Sequence, residues 1–330
     1  MNKKKFLSII MPCYNGIKYL NHTLEVINNQ TYKNFEVIFV DDGSEDDSIV
    51  VAKNFFEKHE IDYKIIKQKN SGVSIARNTG IQKSCGEYLY FLDCDDLVEE
   101  SLCENLYEIL KKDSIDILFF DYYIKKNDQI IKHDRKLINY NEIVNSAEAI
   151  RNLLNESYKY HMCSFVVKRD IIFYNNIKFM PNCRYGEDYE FMVKSLVNSE
   201  RVIFTDKIFF IYCIRDDSVT SNFNHSRLDS IFSAIRIYNY ICSNAYDNFT
   251  VNLAKKYVAE KIIFNLKRFA LLADHNDKKL YNEFFEVVIK NKKFINYWTY
   301  KDNSIKRNLE KILIRFNPKI YVKIKKGRKL

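Results

Sequence analysis

Residues 87–97 read EYLYFLDCDDL. The run Glu87–Leu92 has the apolar, aromatic-rich character of a buried strand, and it ends on three carboxylates, Asp93, Asp95 and Asp96. Like charges at adjoining positions repel and lose hydration when partly enclosed. Either water screens them in a plain turn or a cation compensates them. The choice depends on what the neighbouring strands carry at the same end.

Working upstream, FLSIIM (6–11) is a short apolar run ending at Pro12, and 17–30 has helical spacing. FEVIFV (35–40) is a strand that stops at DDGSEDDS, where Ser44 and the acids after it predict the N-terminus of a helix. YKIIKQ (63–68) reads as a third strand, and GVSIARNTGIQKS as a helix leading to the fourth. Continuous apolar strands separated by helices predict an α/β fold with a mainly parallel central sheet flanked by helices. In such sheets ligands bind at the carboxyl ends of the strands. PCYNG, DDGSEDD, KNSGVSIARN and DCDD then share one edge. Each alone is an ordinary turn, but four in order at the expected edge point to a site. Aspartates there suit a divalent cation with oxygen ligands, which in turn neutralises a substrate diphosphate. Tyr14 offers an aromatic face for a base, Asp42 can accept from a base NH, and Arg77 can reach phosphate oxygens.

Glycine marks the same places. Of seven glycines, five fall in the first 86 residues and a sixth, Gly186, precedes EDYEF. In a chain so poor in glycine, each predicts a tight turn or a close approach.

Length and composition bound the rest. A chain of 330 residues fits one large domain with an extension or a second small domain, and 47% hydrophobic residues without a long uncharged apolar stretch exclude a membrane-spanning helix. The N-terminus MNKKKFLSIIMPCYN is basic, then briefly apolar, without a small-residue cleavage site, and it runs directly into the first strand. This predicts a cytoplasmic protein. Eight scattered cysteines show no spacing of a zinc or redox motif and read as small apolar fillers in a reducing compartment. The net charge of +9 is concentrated at the end, where NPKIYVKIKKGRKL carries no acid. A solvated tail is the default reading, but the alternation of cations with apolar residues favours peripheral contact with the inner face of a membrane. Nucleic acid is not among the expected partners.

These motifs together, over roughly residues 5–215, resemble the inverting glycosyltransferases of family 2, with the GT-A fold. SIIMPCYNG is similar to the family's opening strand, VIFVDDGSEDDS to its second-strand signature, KNSGVSIARNTGI to its third element, and YLYFLDCDD to its DxD segment. The resemblance implies a Rossmann-like nucleotide-binding half at 1–98 and an acceptor half at 99–222, together one catalytic domain, followed by a helical region with a basic tail at 223–330. By the same resemblance Pro12 and Tyr14 line the base, Asp42 binds the uracil edge, and Arg77 lies near base or phosphates. Asp93 lies near the ribose and shares with Asp95 the metal-binding role. Cys94, counted with the nucleotide-sugar-binding residues, fills the small middle position of the DxD segment, and oxidation of its thiol would matter there.

In CRYGEDYEFMVKSLV, Gly186 introduces a helix with Glu187 and Asp188 in its first turn. Plain capping by acids is one reading, worth about 0.3–1 kcal/mol. GED before an aromatic also resembles the family's ED motif. That match implies Asp188 as the general base and adds Glu187 to the nucleotide-sugar-binding set. The stretch 209–222 reads as a strand and a polar loop similar to the family's closing segment, with Arg215 and Ser218 as donor-binding candidates. His225 reads as a surface residue at a helix start. Beyond it the aromatic spacing of three helices predicts packing, and such an extension could shape the acceptor site, form a homodimer surface or approach lipid. Trp298 follows tyrosine, so no QxxRW motif of processive synthases is present, which predicts one sugar added at a time.

The expected function is metal-dependent, inverting transfer of one hexose or N-acetylhexosamine from a UDP-sugar to a hydroxyl of a glycan or lipid-linked oligosaccharide, in bacterial surface polysaccharide synthesis. A nucleotidyltransferase usually opens with a glycine-rich basic phosphate loop, which MPCYNG is not. A non-catalytic nucleotide-sugar-binding module would not need Asp93, Asp95 and Asp188 retained. An NAD enzyme would need GxGxxG after the first strand.

Overall fold

The structure is a computed structural model and describes residues 5–127, 129–132, 140–155, 160–214, 223–273, 277–298 and 305–327. The apolar runs at 6–11 and 35–40 form β1 (Leu7–Cys13), leading to α1 (Ile17–Asn28), and β2 (Phe35–Asp41), leading to α2 (Ser48–Lys58). Both strands are buried at every position, as strands covered on two faces must be. β3 (Tyr63–Lys67) has a half-exposed pattern because it is the sheet's edge. α3 (Val73–Lys83) then returns the chain to β4 (Tyr88–Phe91).

The order β3-β2-β1-β4 is parallel throughout, with Leu7 facing Phe35 on one side and Tyr88 on the other. Connections from β1 step outward through β2 to β3, and the next strand comes back to the opposite side of β1. That reversal opens a crevice beyond the carboxyl ends of β1 and β4. PCYNG and DCDD are the segments that leave those two ends.

The rest of the sheet is mixed. β5 (Leu97–Val98) is followed by α4 (Leu102–Lys112), β6 (Ile117–Lys126), β7 (Gln129–Lys132), β8 (Ile143–Val144) and α5 (Ser146–Leu154). Then come β9 (Phe165–Lys168), α6 (Arg169–Tyr174), α7 (Glu187–Val197) and β10 (Val202–Ile214). β9 lies between β4 and β6, antiparallel to both, whereas β6 and β10 pair in parallel. The expected parallel character therefore belongs to the first half. An antiparallel insertion needs no crossover helix, so nothing in the strand's own composition announces it.

One face of the sheet is covered by Leu20, Leu24 and Ile27 of α1 and by Leu102, Leu106 and Leu110 of α4, all fully buried with Leu7, Ile9 and Met11. Each such side chain contributes about 2 kcal/mol of apolar burial.

The chain divides into two compact units, Met1–Asn182 with Phe191–Asp216, and Cys183–Glu190 with Asp217–Leu330. The second contains α8 (Asp229–Ser243), α9 (Asn248–Leu272), α10 (Lys278–Lys290), α11 (Ile305–Phe316) and α12 (Pro318–Gly327). Asp247 and Asp277 cap α9 and α10 by accepting from Thr250 N and Leu280 N at 3.0 and 2.9 Å. The aromatics pack as expected: Phe269 and Phe284 stack at 4.3 Å, with Phe223 edge-on to both. The basic end differs from a free tail, because residues 318–327 are helical and bury Tyr321 and Val322. Among the described residues, no helix is long and apolar enough to cross a membrane.

Candidate functional site

The first loop is held by the second. Asn15 N donates to Ser44 Oγ at 3.0 Å, Gly16 N to Ser48 Oγ at 3.0 Å, and Ile17 N to Asp46 Oδ2 at 3.1 Å. α2 begins at Ser48, where the run SIVVAKNFFEKH was expected to start, but the reading of Ser44 as its cap is corrected: Ser44 lies ahead of the helix and is spent on fixing PCYNG. Burial favours the neutral form of Asp46, but bonds from Ser48, Ile17 and its own turn outweigh it and hold the carboxyl below its ordinary range. Pro12 is buried at the end of β1, and Tyr14 stands about half exposed, available as a flat surface.

Asp42 is buried and already busy. Its carboxylate accepts from Gln68 Nε2 at 2.7 Å, Ser71 N at 2.9 Å and Gly72 N at 2.8 Å, so it anchors the loop before α3. Thr79 in turn donates to Gln68 Oε1 at 2.8 Å, orienting that amide. Neither Gln68 nor Thr79 carried a sequence signal.

Arg77 projects from α3 with its side chain only 4% exposed and meets Asp93 at 3.1 Å. Burial opposes charge on Asp93, yet the Arg77 guanidinium, then His161, and hydrogen bonds from Arg77 and Cys163 outweigh it. The carboxyl is held below the usual range and stays ionised. Arg77 also lies over the Phe179 ring at 5.4 Å. Arg77, expected near the base or phosphates, thus contacts the DxD segment directly.

The turn Asp93–Asp96 is set by a residue that no sequence pattern singled out. Thr23, buried in α1, donates to the carbonyls of Cys94 and Asp96 at 3.0 and 2.9 Å. Cys94 is buried, and Gly16 passes so close that a Cβ there would lie 2.7 Å from Cys13 Sγ and 2.8 Å from Cys94 Sγ. A hydrogen bond with Cys13, then burial, pushes the Cys94 thiol far up. A thiol so strongly protonated is inert, and Cys94 serves as a filler beneath the loop.

Two sets of groups are candidates for a cation. Asp93 and Asp95 are part-exposed carboxylates at the strand end, a hard oxygen set suited to Mn²⁺ or Mg²⁺. Asp96, His161 and Cys163 bring one oxygen, nitrogen and sulfur within 4.8 Å of one another. In that second set Asp96 is buried, accepts from Cys213 N at 2.9 Å and faces Cys163 Sγ at 4.0 Å. Burial, then Asp93 and Asp96, keeps the Cys163 thiol protonated. His161 accepts from Cys163 N at 3.3 Å. These bonds make the second set a scaffold behind the DxD turn, and the oxygen pair fits the metal better.

The segment before α7 is fixed to α3 by Asn78. Its amide donates to Phe179 O at 2.8 Å and accepts from Phe179 N at 2.9 Å, as a neighbouring strand would. Asn78→Ala is expected to cost about 1–3 kcal/mol by thermal unfolding, since two backbone groups lose their partner. Asn78→Asp, which can still accept but not donate, should recover part of that loss.

In the second unit, Glu187 is buried and Asp188 half-buried in the first turn of α7. Gly186 turns there at φ +89°, and Ser233 Oγ donates to its carbonyl at 2.6 Å. Glu190, 1% exposed, takes Arg236 of α8 at 2.7 Å, and Arg184 N donates to Asp229 at 2.8 Å. α8 thus braces the acidic turn. Its contribution was hidden in a segment that reads only as amphipathic helix. Arg215 and Ser218 lie outside the described residues. His225, exposed as expected, contacts Glu283 at 2.6 Å.

The model of the family described as glycosyl transferase family 2 matches residues 8–173. The chain is 30% identical over 242 residues to the minor teichoic acid biosynthesis protein GgaB of Bacillus subtilis, covering 68% of this chain and 26% of that protein. It thus spans only about a quarter of that relative's length. It is also 30% identical to the cholesterol galactosyltransferase of Borreliella burgdorferi, over 74% of this chain and 72% of that one. In three dimensions it superposes on S. aureus TarS 1–349 in complex with UDP-GlcNAc with a TM-score of 0.72, at 18% identity, over 97% of this chain and 88% of that chain. The GT-A-type α/β architecture is shared, and the chain belongs to glycosyl transferase family 2.

Proposed function

We propose that the protein transfers a single hexose or N-acetylhexosamine from a UDP-sugar to a hydroxyl of a glycan or lipid-linked acceptor, with inversion, during synthesis of a bacterial surface polysaccharide. Family membership makes it a glycosyltransferase. The observation that carries the finer reading is the Arg77–Asp93 pair beside Asp95 at the carboxyl end of β4, next to the loop that presents Tyr14. The UDP-GlcNAc held by the TarS structure supports a UDP-linked donor, and the names of GgaB and the galactosyltransferase support surface or membrane-lipid acceptors.

Tyr14 and Pro12 would flank the base, Asp42 would accept its NH, and Arg77 would address the phosphates. Asp95, assisted by Asp93, would hold a divalent cation. When bound, such an ion supplies positive charge against the departing diphosphate. Asp188 would take the proton from the acceptor hydroxyl as its oxygen bonds to the anomeric carbon and the bond to UDP breaks. An α-linked donor then gives a β-linked product. Donor binding by Glu187 and by Arg215, and the division into a catalytic region up to 222 and a helical region after it, belong to the same proposal. So do placement in the cytoplasm at the inner membrane face and a homodimer.

The test is a panel of UDP-sugars, beginning with UDP-GlcNAc and with a GDP-sugar as control, scored for hydrolysis with Mn²⁺ and with chelator. Release of UDP from at least one UDP-sugar, abolished by chelator, is expected. Turnover of the GDP-sugar alone, or turnover indifferent to chelator, would overturn the donor or the metal assignment.

A further inference from the structure

Over Ile305–Gly327, the helices α11 and α12 carry eight Lys and Arg residues and one acid, Glu310. That acid is already engaged: it lies 3.2 Å from Lys325 Nζ and accepts from the Tyr321 hydroxyl at 2.8 Å. Ile314, Tyr321 and Val322 hold the two helices to their unit by burial. The opposite sides are unusual for surface helices. Ile312 is 52% exposed, Phe316 77%, Ile320 45% and Ile324 43%, an apolar residue every four positions through the joint between the helices. Exposed Arg315, Lys319 and Lys323 alternate with them. Beside Phe316, a depression of about 360 Å³ is lined by Lys292, Lys293, Asn296, Arg315 and Phe316, three cations with no acid.

Apolar residues set among cations call for a partner that is apolar beneath and anionic above. A second copy of this chain would oppose like charges across the same patch, whereas an anionic bilayer meets both demands. We propose that α11 and α12 dock on an anionic lipid surface. Phe316 and the isoleucines enter the boundary between headgroups and acyl chains, the lysines and arginine pair with lipid phosphates, and the depression beside Phe316 seats one headgroup. This deepens the inner-face placement proposed above by naming the surface responsible, and it does not depend on which sugar is transferred.

The experiment is co-sedimentation of the full chain with vesicles of phosphatidylcholine alone or with phosphatidylglycerol added. Sedimentation with the anionic vesicles only, weakened by salt, is expected. Lys292→Gln/Lys293→Gln/Arg315→Gln should lower that partition on the order of 10²-fold, since each cation near an anionic surface contributes roughly a factor of five. Phe316→Ser/Ile320→Ser, at exposed positions, should also lower it, with UDP-sugar hydrolysis measured without vesicles left unchanged. Equal sedimentation with both vesicle types, or partition unaffected by either variant, would overturn the proposal. So would light scattering that shows the apolar variant splitting a dimer while vesicle binding persists. Vesicle binding without any sugar-nucleotide hydrolysis would sink the proposed transfer activity and leave the lipid surface standing.

Discussion

Asp188→Asn is expected to lower glycosyl transfer by about 10²- to 10⁴-fold, the range typical of a positioned proton acceptor, while affinity for UDP stays at its wild-type value. Asparagine keeps the shape of the side chain in the first turn of α7, but its amide cannot take the proton from an acceptor hydroxyl. The brace from α8, with Ser233 on the Gly186 carbonyl and Arg236 on Glu190, does not involve the altered group. Thermal unfolding verifies that the variant is folded. The discriminating readout is the split between kcat and UDP affinity: loss of a proton acceptor lowers kcat and leaves the affinity unchanged. A merely capping Asp188 predicts a small loss of stability, about 0.3–1 kcal/mol, with kcat intact. Transfer at wild-type rate by a well-folded variant would remove Asp188 from the role of base.

How much of this was legible in the sequence depends on how far apart the interacting residues are. The parallel half was readable because its strands are continuous apolar runs and each ends on a polar loop, so strand, turn and helix signals agree locally. The pairing of β9 between β4 and β6 was not, because Phe165–Lys168 is a short apolar run and its neighbours are chosen by the closure of the whole sheet. The DxD turn could be found from its charges. Its support could not: Thr23 sits in mid-helix, and nothing in IKYLNHTLEVIN shows that its hydroxyl reaches two carbonyls more than seventy positions away. Asn78 joins Phe179 across 101 positions, and Arg236 joins Glu190 across 46. Such contacts are made by tertiary packing, which residue type and spacing do not encode. The misread role of Ser44 has the same origin. Its hydroxyl had two uses, capping α2 or holding Asn15, and the neighbouring loop decided between them.

Separating the two DxD carboxylates is the sharper test of the donor site, because the structure gives them different surroundings. Asp95→Ala should leave stability nearly unchanged, since the side chain is part-exposed, yet abolish the gain in UDP affinity that Mn²⁺ brings. A lost metal contact to a diphosphate corresponds to about 3 kcal/mol, or roughly 10²-fold in affinity, measurable by calorimetry with and without the ion. Asp93→Asn should behave in the opposite proportion. It deprives the buried Arg77 guanidinium of its carboxylate at 3.1 Å, and removing one partner of such a pair costs up to about 3 kcal/mol, less here because Asp93 retains 29% exposure. The sign of the pH effect follows from the same contact. Asp93 has its carboxyl pKa lowered by Arg77 and His161, after burial is overcome, so its contribution is fully present above the unfolded value and fades as pH falls through the folded one. Wild-type stability should therefore drop more steeply with acid than that of Asp93→Asn, and the two curves should converge once the wild-type carboxyl is protonated. Should Asp95→Ala keep its Mn²⁺-linked affinity for UDP, the oxygen pair would lose its claim to the cation. The same titration on Asp96→Asn would then decide whether the set with His161 and Cys163 holds it instead.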